Sequence, residues 1–393
     1  MSLTFSEILL LLAAAQGLFL SLFIFHKYPK LYAVRFVGVL ILLYTFILLG
    51  MVINDLGYSL RIPDIYFVIL ALPFVIGPLH YLFALFLVNP HRRLQRWGWM
   101  HFFPFAAVLL GLPVYVALSG KAFIVSSNTF ENGVLPLRMT LFNWLILIHA
   151  ATYTILSVRV LKTHVRKIKS VFSSIERVKL KWLLNVTYFA LLTVGLFFIE
   201  NLFMSFGINL TNNFTLTSVM VAIYVYTLGY MGLMRADVFA DPRVSSSMQQ
   251  APVLRDMSST GSVRQKYQKS GLSAERAGEY LEILIRYMET NTPYRDNGLT
   301  LNQLAEMVDI TPHNLSEVLN TKLGQSFFDF VNTYRVDDVK KAIIDPTKRN
   351  FTLLALAFDA GFNSKTAFNT IFKKYTGKTP SEFRAELLGE KKD

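Results

Sequence analysis

Thr300-Leu301-Asn302-Gln303-Leu304-Ala305 returns fifty-two positions later as Thr352-Leu353-Leu354-Ala355-Leu356-Ala357. Further along, Gly324 and Gly377, and Phe330 and Phe383, match at fifty-three positions. Segments 299–330 and 351–383 are therefore a tandem repeat with one inserted residue. Each copy reads as a short helix, a tight turn, a second helix and a glycine stop. In the second copy Gly361 supplies the left-handed turn residue, and Asn363 or Ser364 caps the next helix. In the first copy Asp309 stands in the glycine's place, because Asp tolerates positive φ better than most residues. Thr311 then caps, and Pro312 takes the first helical position. Leu304 and Ala305 face Leu315, Val318 and Leu319 in a small core, and the small Ala305 and Ala357 allow close helix crossing.

These are two helix-turn-helix units, at 299–324 and 351–377, joined by a helix at 326–345. That helix is about 30 Å long, enough to hold two reading helices about one DNA turn (~34 Å) apart. The second helix of each unit keeps a polar face. In the first copy His313, Ser316, Glu317 and Asn320 follow helical spacing. In the second, Lys365, Thr366, Asn369, Thr370 and Lys373 project away from Phe368, Ile371 and Phe372. Such residues are what base edges in a major groove require. Lys322, Lys373, Lys374, Lys378 and Arg384 are candidates for neutralising phosphates. A solvated helix face would look the same in one copy; repetition at fixed spacing argues for DNA.

The residues before this module have a different character. The chain is 53% hydrophobic and only 17% charged, against about 25% charged in ordinary globular proteins. Seven apolar runs, at 5–25, 31–53, 65–88, 97–118, 139–161, 183–206 and 214–234, are each long enough for a membrane span. Seven runs in so short a stretch leave too little polar surface to coat a soluble bundle. The first run resembles a signal peptide around Leu12-Ala13-Ala14-Ala15. However, residues 1–7 lack Lys and Arg and the run continues to Phe25, so it reads as a retained span.

Charge orients the bundle. Fourteen Lys and Arg, Lys27 to Lys181, fall on alternate connections of one side, while the other side carries only Arg61, Lys121 and Arg138. The positive side is cytoplasmic, so the N-terminus lies outside and the C-terminal module lies inside, where DNA is. The net charge is +11 over 1–240 and +2 over 241–393, so the basic pI comes from the membrane half and is no argument for DNA binding. The outer connections are too short to fold as a sensor domain.

Polar residues within the spans are few; Glu200, followed by Asn201, is the carboxylate deep in one, and His80 and His149 lie in the third and fifth spans. Ionisable groups in hydrocarbon are costly, which makes these four sensing candidates; a structural clamp between helices is the competing reading, and both stand. Pro73 and Pro78 predict a kink in the third span.

Several chemistries are excluded. There is no Cys, hence no disulfide or thiolate site. No span holds a Schiff-base Lys, no HExxH or GxSxG-type context occurs, and the histidines lack metal-ligand spacing. The reading is of a non-enzyme without metal or cofactor.

Residues 237–272 are rich in Ser, Gln, Lys and Arg and read as a flexible cytoplasmic tether. Leu281, Leu284, Ile285 and Met288 then form one stripe of a helix starting at Ser273, favouring packing on the module over a dimer seam.

The stretch from Gly361-Phe362-Asn363-Ser364 through Phe372-Lys373-Lys374-Tyr375 to Gly377-Lys378-Thr379-Pro380-Ser381-Glu382-Phe383-Arg384 resembles the C-terminal signature of AraC-family transcription regulators. Residues 300–323 resemble that family's first helix-turn-helix, and the likeness covers about a quarter of the chain. The whole architecture resembles membrane-bound AraC-type regulators of Bacteroidetes-like bacteria. The resemblance implies base readout at His313, Ser316, Glu317, Lys365, Thr366 and Thr370. Glu317 and Thr370 stand where many relatives carry Arg, which implies modest affinity for a monomer.

The expected fold is therefore all-α: a seven-transmembrane helix bundle (1–236), the tether, and a tandem helix-turn-helix DNA-binding domain (273–393). The expected protein is a multi-pass regulator of the bacterial cytoplasmic membrane, with double-stranded DNA, the bilayer and RNA polymerase as partners and a homodimer as a further expectation. The signal ligand is not legible. Two alternatives stay open: a small-solute transporter with a regulatory tail, and an anchored precursor released by proteolysis.

Overall fold

The computed structural model describes residues 3–28, 32–56, 63–88, 98–119, 136–175, 180–206, 208, 216–234 and 272–388. The chain divides into two compact units: 1–163 with 180–241, and 164–179 with 242–393. The second takes in 164–179, a segment that the division by sequence leaves in the membrane half.

Unit 1 is built from α1 (Phe5–Lys27), α2 (Tyr32–Asp55), α3 (Pro63–Ala71), α4 (Pro73–Val88), α5 (Phe103–Ser119), α6 (Leu137–Lys169), α7 (Lys181–Ser205) and α8 (Leu216–Met234). The last turns of α6, from His164 on, belong to unit 2. Among the described residues, six helical stretches are long and apolar enough to cross a membrane, and Leu216–Met231 is shorter than that. The sequence leads to an expectation of seven spans; the described helices supply six of that length.

Local chemistry explains the ends and breaks. Thr4 and Glu7 cap α1 reciprocally, with Glu7 N donating to Thr4 Oγ1 at 3.3 Å and Thr4 N to Glu7 Oε2 at 2.6 Å. The third apolar run is interrupted for one residue at Leu72, giving α3 and α4, with Pro73 as the first residue of α4 and Pro78 inside it. Pro73 has no N–H to continue the ladder, but it suits a first helical turn.

Small residues let α1, α2 and α8 approach: a Cβ at Gly17 would strike Thr45, and one at Gly229 would strike Leu20. Ser21 Oγ donates to Gly38 O at 3.0 Å across α1 and α2. Ile24, Leu40, Ile41, Leu48 and Leu228 form the centre of this core. Large apolar side chains also point outward, among them Leu12 and Phe19 on α1, Leu110 and Leu118 on α5, and Leu141 and Ile148 on α6. A water-facing bundle would place polar groups there.

Unit 2 contains α9 (Ala274–Asn291), α10 (Leu301–Met307), α11 (Pro312–Lys322), α12 (Phe327–Ile344), α13 (Leu353–Asp359), α14 (Lys365–Thr376) and α15 (Pro380–Leu388). It has two apolar cores. In the first, Leu284 and Met288 of α9 pack with Leu304, Ala305, Leu315, Leu319, Phe327 and Val331. The α9 stripe thus serves packing within the module. Val318 is fully buried as well. In the second core, Val336, Val339 and Ile343 of α12 meet Leu356, Ala357, Phe368, Ile371 and Phe372. The central helix α12 serves both cores and links the two units of the repeat.

Candidate nucleic-acid interface

Each reading helix starts where its cap puts it. Thr311 Oγ1 accepts from Asn314 N at 3.2 Å and Ser364 Oγ from Ala367 N at 3.1 Å, so Ser364 rather than Asn363 caps α14. The turn before each helix needs a left-handed residue, and Asp309 (φ 54) and Gly361 (φ 91) supply it. Gly324 and Gly377, which follow the two reading helices, also have positive φ (64 and 78). Ser326 and Asp345 flank α12 as N-cap and C-cap.

The base-contact candidates divide. On α14, Lys365, Thr366, Asn369 and Thr370 are all exposed, on the side away from buried Phe368, Ile371 and Phe372. This is an open polar face on a helix anchored from behind. On α11, His313 is exposed and Asn320 half-buried, but Ser316 (4% exposed) and Glu317 (5%) are buried. Five consecutive residues, Leu315 to Leu319, are buried there, and successive residues are ~100° apart. The middle of α11 is therefore covered on every side in this conformation. Asn320 Nδ2 donates to Ser316 O at 2.7 Å, and the His313 imidazole lies 4.0 Å from the Glu317 carboxylate.

Most of the phosphate candidates already have intramolecular acceptors. Lys322 Nζ donates to Ala274 O at 3.0 Å, and Lys378 pairs with Glu386. Arg384 donates to Phe351 O (3.2 Å) and Arg349 O (2.7 Å), tying α15 to the turn before the second repeat. Lys374 Nζ reaches Asp329 Oδ1 at 2.6 Å. Lys373 is exposed on α14.

Asp329 is the hub of a brace between α12 and α14. It accepts from Lys374, from Ser326 Oγ (2.7 Å) and from Tyr375 OH (3.0 Å). Burial pushes its carboxyl up, but the hydrogen bonds from Lys374, Ser326 and Tyr375 outweigh this and hold it below the ordinary value. A depressed folded-state value stabilises the fold above the unfolded value, about 3.9. That stabilisation is lost as pH falls through the lower folded value. Hydrogen exchange in the first turn of α12 and around Tyr375 is expected to accelerate as pH drops below about 4, after correction for the intrinsic rate. An Asp329→Asn variant is expected to start less protected and to lose that acid step.

The four membrane-half candidates do not form one site. Glu200 Oε1 accepts from Thr217 N at 2.9 Å, so it caps the first turn of α8 from α7. Asn201 Nδ2 donates to Phe197 O, one turn back in its own helix, at 2.8 Å. His80 bridges Thr187 Oγ1 and Tyr224 OH, at 3.2 Å each. His149 packs among Phe74 and Tyr153, and Tyr153 OH pairs with His101 Nδ1 at 2.9 Å. Glu200 and His80 each hydrogen-bond to a neighbouring helix, Glu200 at Thr217 and His80 at Thr187 and Tyr224. The bridge from His80 to Tyr224 was not foreseeable, because Tyr224 looks like any other apolar position of its run.

Comparison with known proteins bears on the C-terminal module. A family described as "Helix-turn-helix domain" matches residues 304–386. An uncharacterized HTH-type transcriptional regulator of Staphylococcus aureus (strain COL) is 33% identical over 88 residues, 22% of this chain and 11% of that protein. The bifunctional transcriptional activator/DNA repair enzyme AdaA of Bacillus subtilis is 27% identical over 106 residues, 27% of this chain and 47% of AdaA. The transcriptional regulatory protein YesN of the same organism is 28% identical over 163 residues, 39% of this chain and 40% of YesN. The chain spans about a tenth of the first of these relatives and less than half of the others. No solved structure matches it significantly. The chain thus carries a C-terminal AraC-type helix-turn-helix domain, like proteins named as HTH-type transcriptional regulators.

Proposed function

We propose that this protein is a membrane-anchored, sequence-specific transcription regulator, a one-component sensor that couples a signal at its helical bundle to DNA. The observation that carries the reading is the exposed row Lys365, Thr366, Asn369 and Thr370 on a helix anchored by Phe368 and Phe372, in a chain whose described residues also hold six span-length apolar helices. The positive loops favour a cytoplasmic C-terminus in a bacterial inner membrane. The leading reader is α14. The first reader, α11, offers His313 at once and Asn320 in part, while Ser316 and Glu317 reach base edges only after α11 is uncovered. Of the cations, Lys373 is ready for phosphate, and Lys322, Lys374, Lys378 and Arg384 would exchange an internal acceptor for one. RNA polymerase and a second copy of the chain are the further partners of this reading, and no catalytic step, metal or cofactor enters it.

The test is selection of DNA from a random pool by the full chain in lipid discs, followed by titration with the selected sequence. The Lys365→Ala/Thr366→Ala double variant is expected to bind that sequence roughly 10- to 100-fold more weakly, since a good base contact is worth about 1–3 kcal/mol. Lys373→Ala is expected to weaken all sequences alike and to lower the salt slope by about one. Failure to enrich any sequence would sink the reading.

A further inference from the structure

The segment that joins α6 to α7 is built into the DNA-binding unit. Phe172 forms an isolated antiparallel bridge with Thr300, the cap of α10. Leu301 N donates to Val171 O at 2.9 Å, and Ser173 N to Leu299 O at 3.2 Å. Ser173 Oγ also donates to Leu299 O, at 2.6 Å. From α12, Asn332 Nδ2 donates to Ser173 O at 3.0 Å. Arg335 Nη1 donates to Ser173 O and Ser174 Oγ, at 3.2 Å each, and Nη2 to Ser173 Oγ at 3.1 Å. Ser173, Asn332 and Arg335 are each at most 1% exposed.

The apolar side is as extensive. Ile168, Val171, Phe172 and Ile175 belong to the same core as Val336, Val339, Leu356, Ala357 and Phe368. One short segment thus touches the start of the first repeat, the helix between the repeats, and the core of the second. Buried polar groups are retained where they are satisfied. Here a guanidinium that cannot deprotonate takes three of its acceptors from this segment.

We infer that the 168–175 segment is a second, non-covalent attachment that holds the DNA-binding unit to the α6–α7 connection independently of the chain between α8 and α9. Two consequences follow from connectivity. A shift of the facing ends of α6 and α7 acts directly on the segment that braces both repeats. In addition, a single proteolytic cut between α8 and α9 does not free the unit; release requires the clasp to open as well. The inference stands on these contacts and does not depend on what the unit binds.

The experiment uses the full chain in mild detergent, with an affinity tag before Met1 and a specific protease site inserted within 245–262. After complete cleavage, the C-terminal fragment remaining on the tag resin is measured through repeated washes. Wild type is expected to keep most of its fragment. Phe172→Asp and Ser173→Pro are each expected to lose it at least about tenfold faster, each tenfold corresponding to ~1.4 kcal/mol of contact energy. Hydrogen exchange at Leu301 in the uncut chain should accelerate in both, while slow exchange in α14 shows that the second repeat is still folded. Wild-type fragment that washes away as fast as the variants would overturn the inference. So would variants that retain the fragment as wild type does. The wild-type arm requires no variant to fold.

Discussion

Gly361→Ala is expected to dismantle the second helix-turn-helix. Gly361 has φ 91, a conformation that costs an alanine about 1–2 kcal/mol by itself. A Cβ there would also run into the carbonyl oxygens of Tyr294 and Arg295 and the Cα of Arg295, all backbone atoms that cannot rotate aside. The turn is already held from both ends, with Gly361 N donating to Phe358 O at 3.0 Å and Phe362 N to Ala357 O at 3.0 Å. The combined cost is expected to exceed about 3 kcal/mol, strain and forced backbone shift together. Gly324→Ala is the control: its φ is 64, but nothing lies within 4 Å of the added carbon. It is expected to cost only about 1–2 kcal/mol. Hydrogen exchange across 353–376 in the full chain checks both, with protection lost for Gly361→Ala and nearly kept for Gly324→Ala. Equal protection in the two variants would contradict the geometry.

Arg335→Ala has the second large expected effect. Besides its bonds to 173 and 174, Arg335 donates to Tyr294 O at 2.7 Å and Asp296 O at 2.8 Å, so it ties the turn before α10 to α12. Asp338 supports the same turn through a two-point contact with Arg295 at 2.9 and 3.1 Å. Truncating Arg335 leaves the buried carbonyls of Tyr294 and Ser173 short of a donor, at about 1–3 kcal/mol for each group left unbonded, and opens a void. A loss of about 3 kcal/mol is expected. Arg335→Lys is expected to restore less than half, because a single ammonium cannot span acceptors that a planar fork reaches together. Denaturant melts of the full chain, followed by exchange at 299–301, check this. Full rescue by lysine would show that charge rather than the fork matters.

Much of unit 2 was legible because its signals are local. Asp309 in a glycine's place and Thr311 before Pro312 each depend on residues within four positions, and each adopts the conformation its chemistry predicts. The α9 stripe was legible as packing for the same reason. What could not be read is non-local. The Lys374–Asp329 pair joins residues 45 positions apart, and nothing in a lysine's neighbourhood distinguishes one that will neutralise phosphate from one that will hold a carboxylate. Ser173 and Leu299 are 126 apart, and 170–175 has too little periodicity to announce a partner. Glu200 looked like an isolated carboxylate until the start of α8 supplied Thr217 N as its donor. The covering of Ser316 and Glu317 is tertiary, and helical spacing within α11 does not encode it.

The bundle was legible in composition but not in detail. Apolar runs mark the helices, and the third is interrupted at Leu72, beside the Pro73 from which a kink is expected. Part of the charge on which the orientation rests, Arg92, Arg93, Arg96 and Lys121 among it, lies outside the described residues, as does most of the predicted tether, 237–271.

The most direct test of the account is genome-wide DNA occupancy of the intact chain in its own host. Wild type is compared with the Lys365→Ala/Thr366→Ala variant, and both ends of the chain are probed in the membrane fraction. Discrete sites are expected, occupied by full-length, membrane-associated protein and lost in the variant. Sites occupied only by a C-terminal fragment lacking the spans, or no discrete sites under any growth condition, would contradict it.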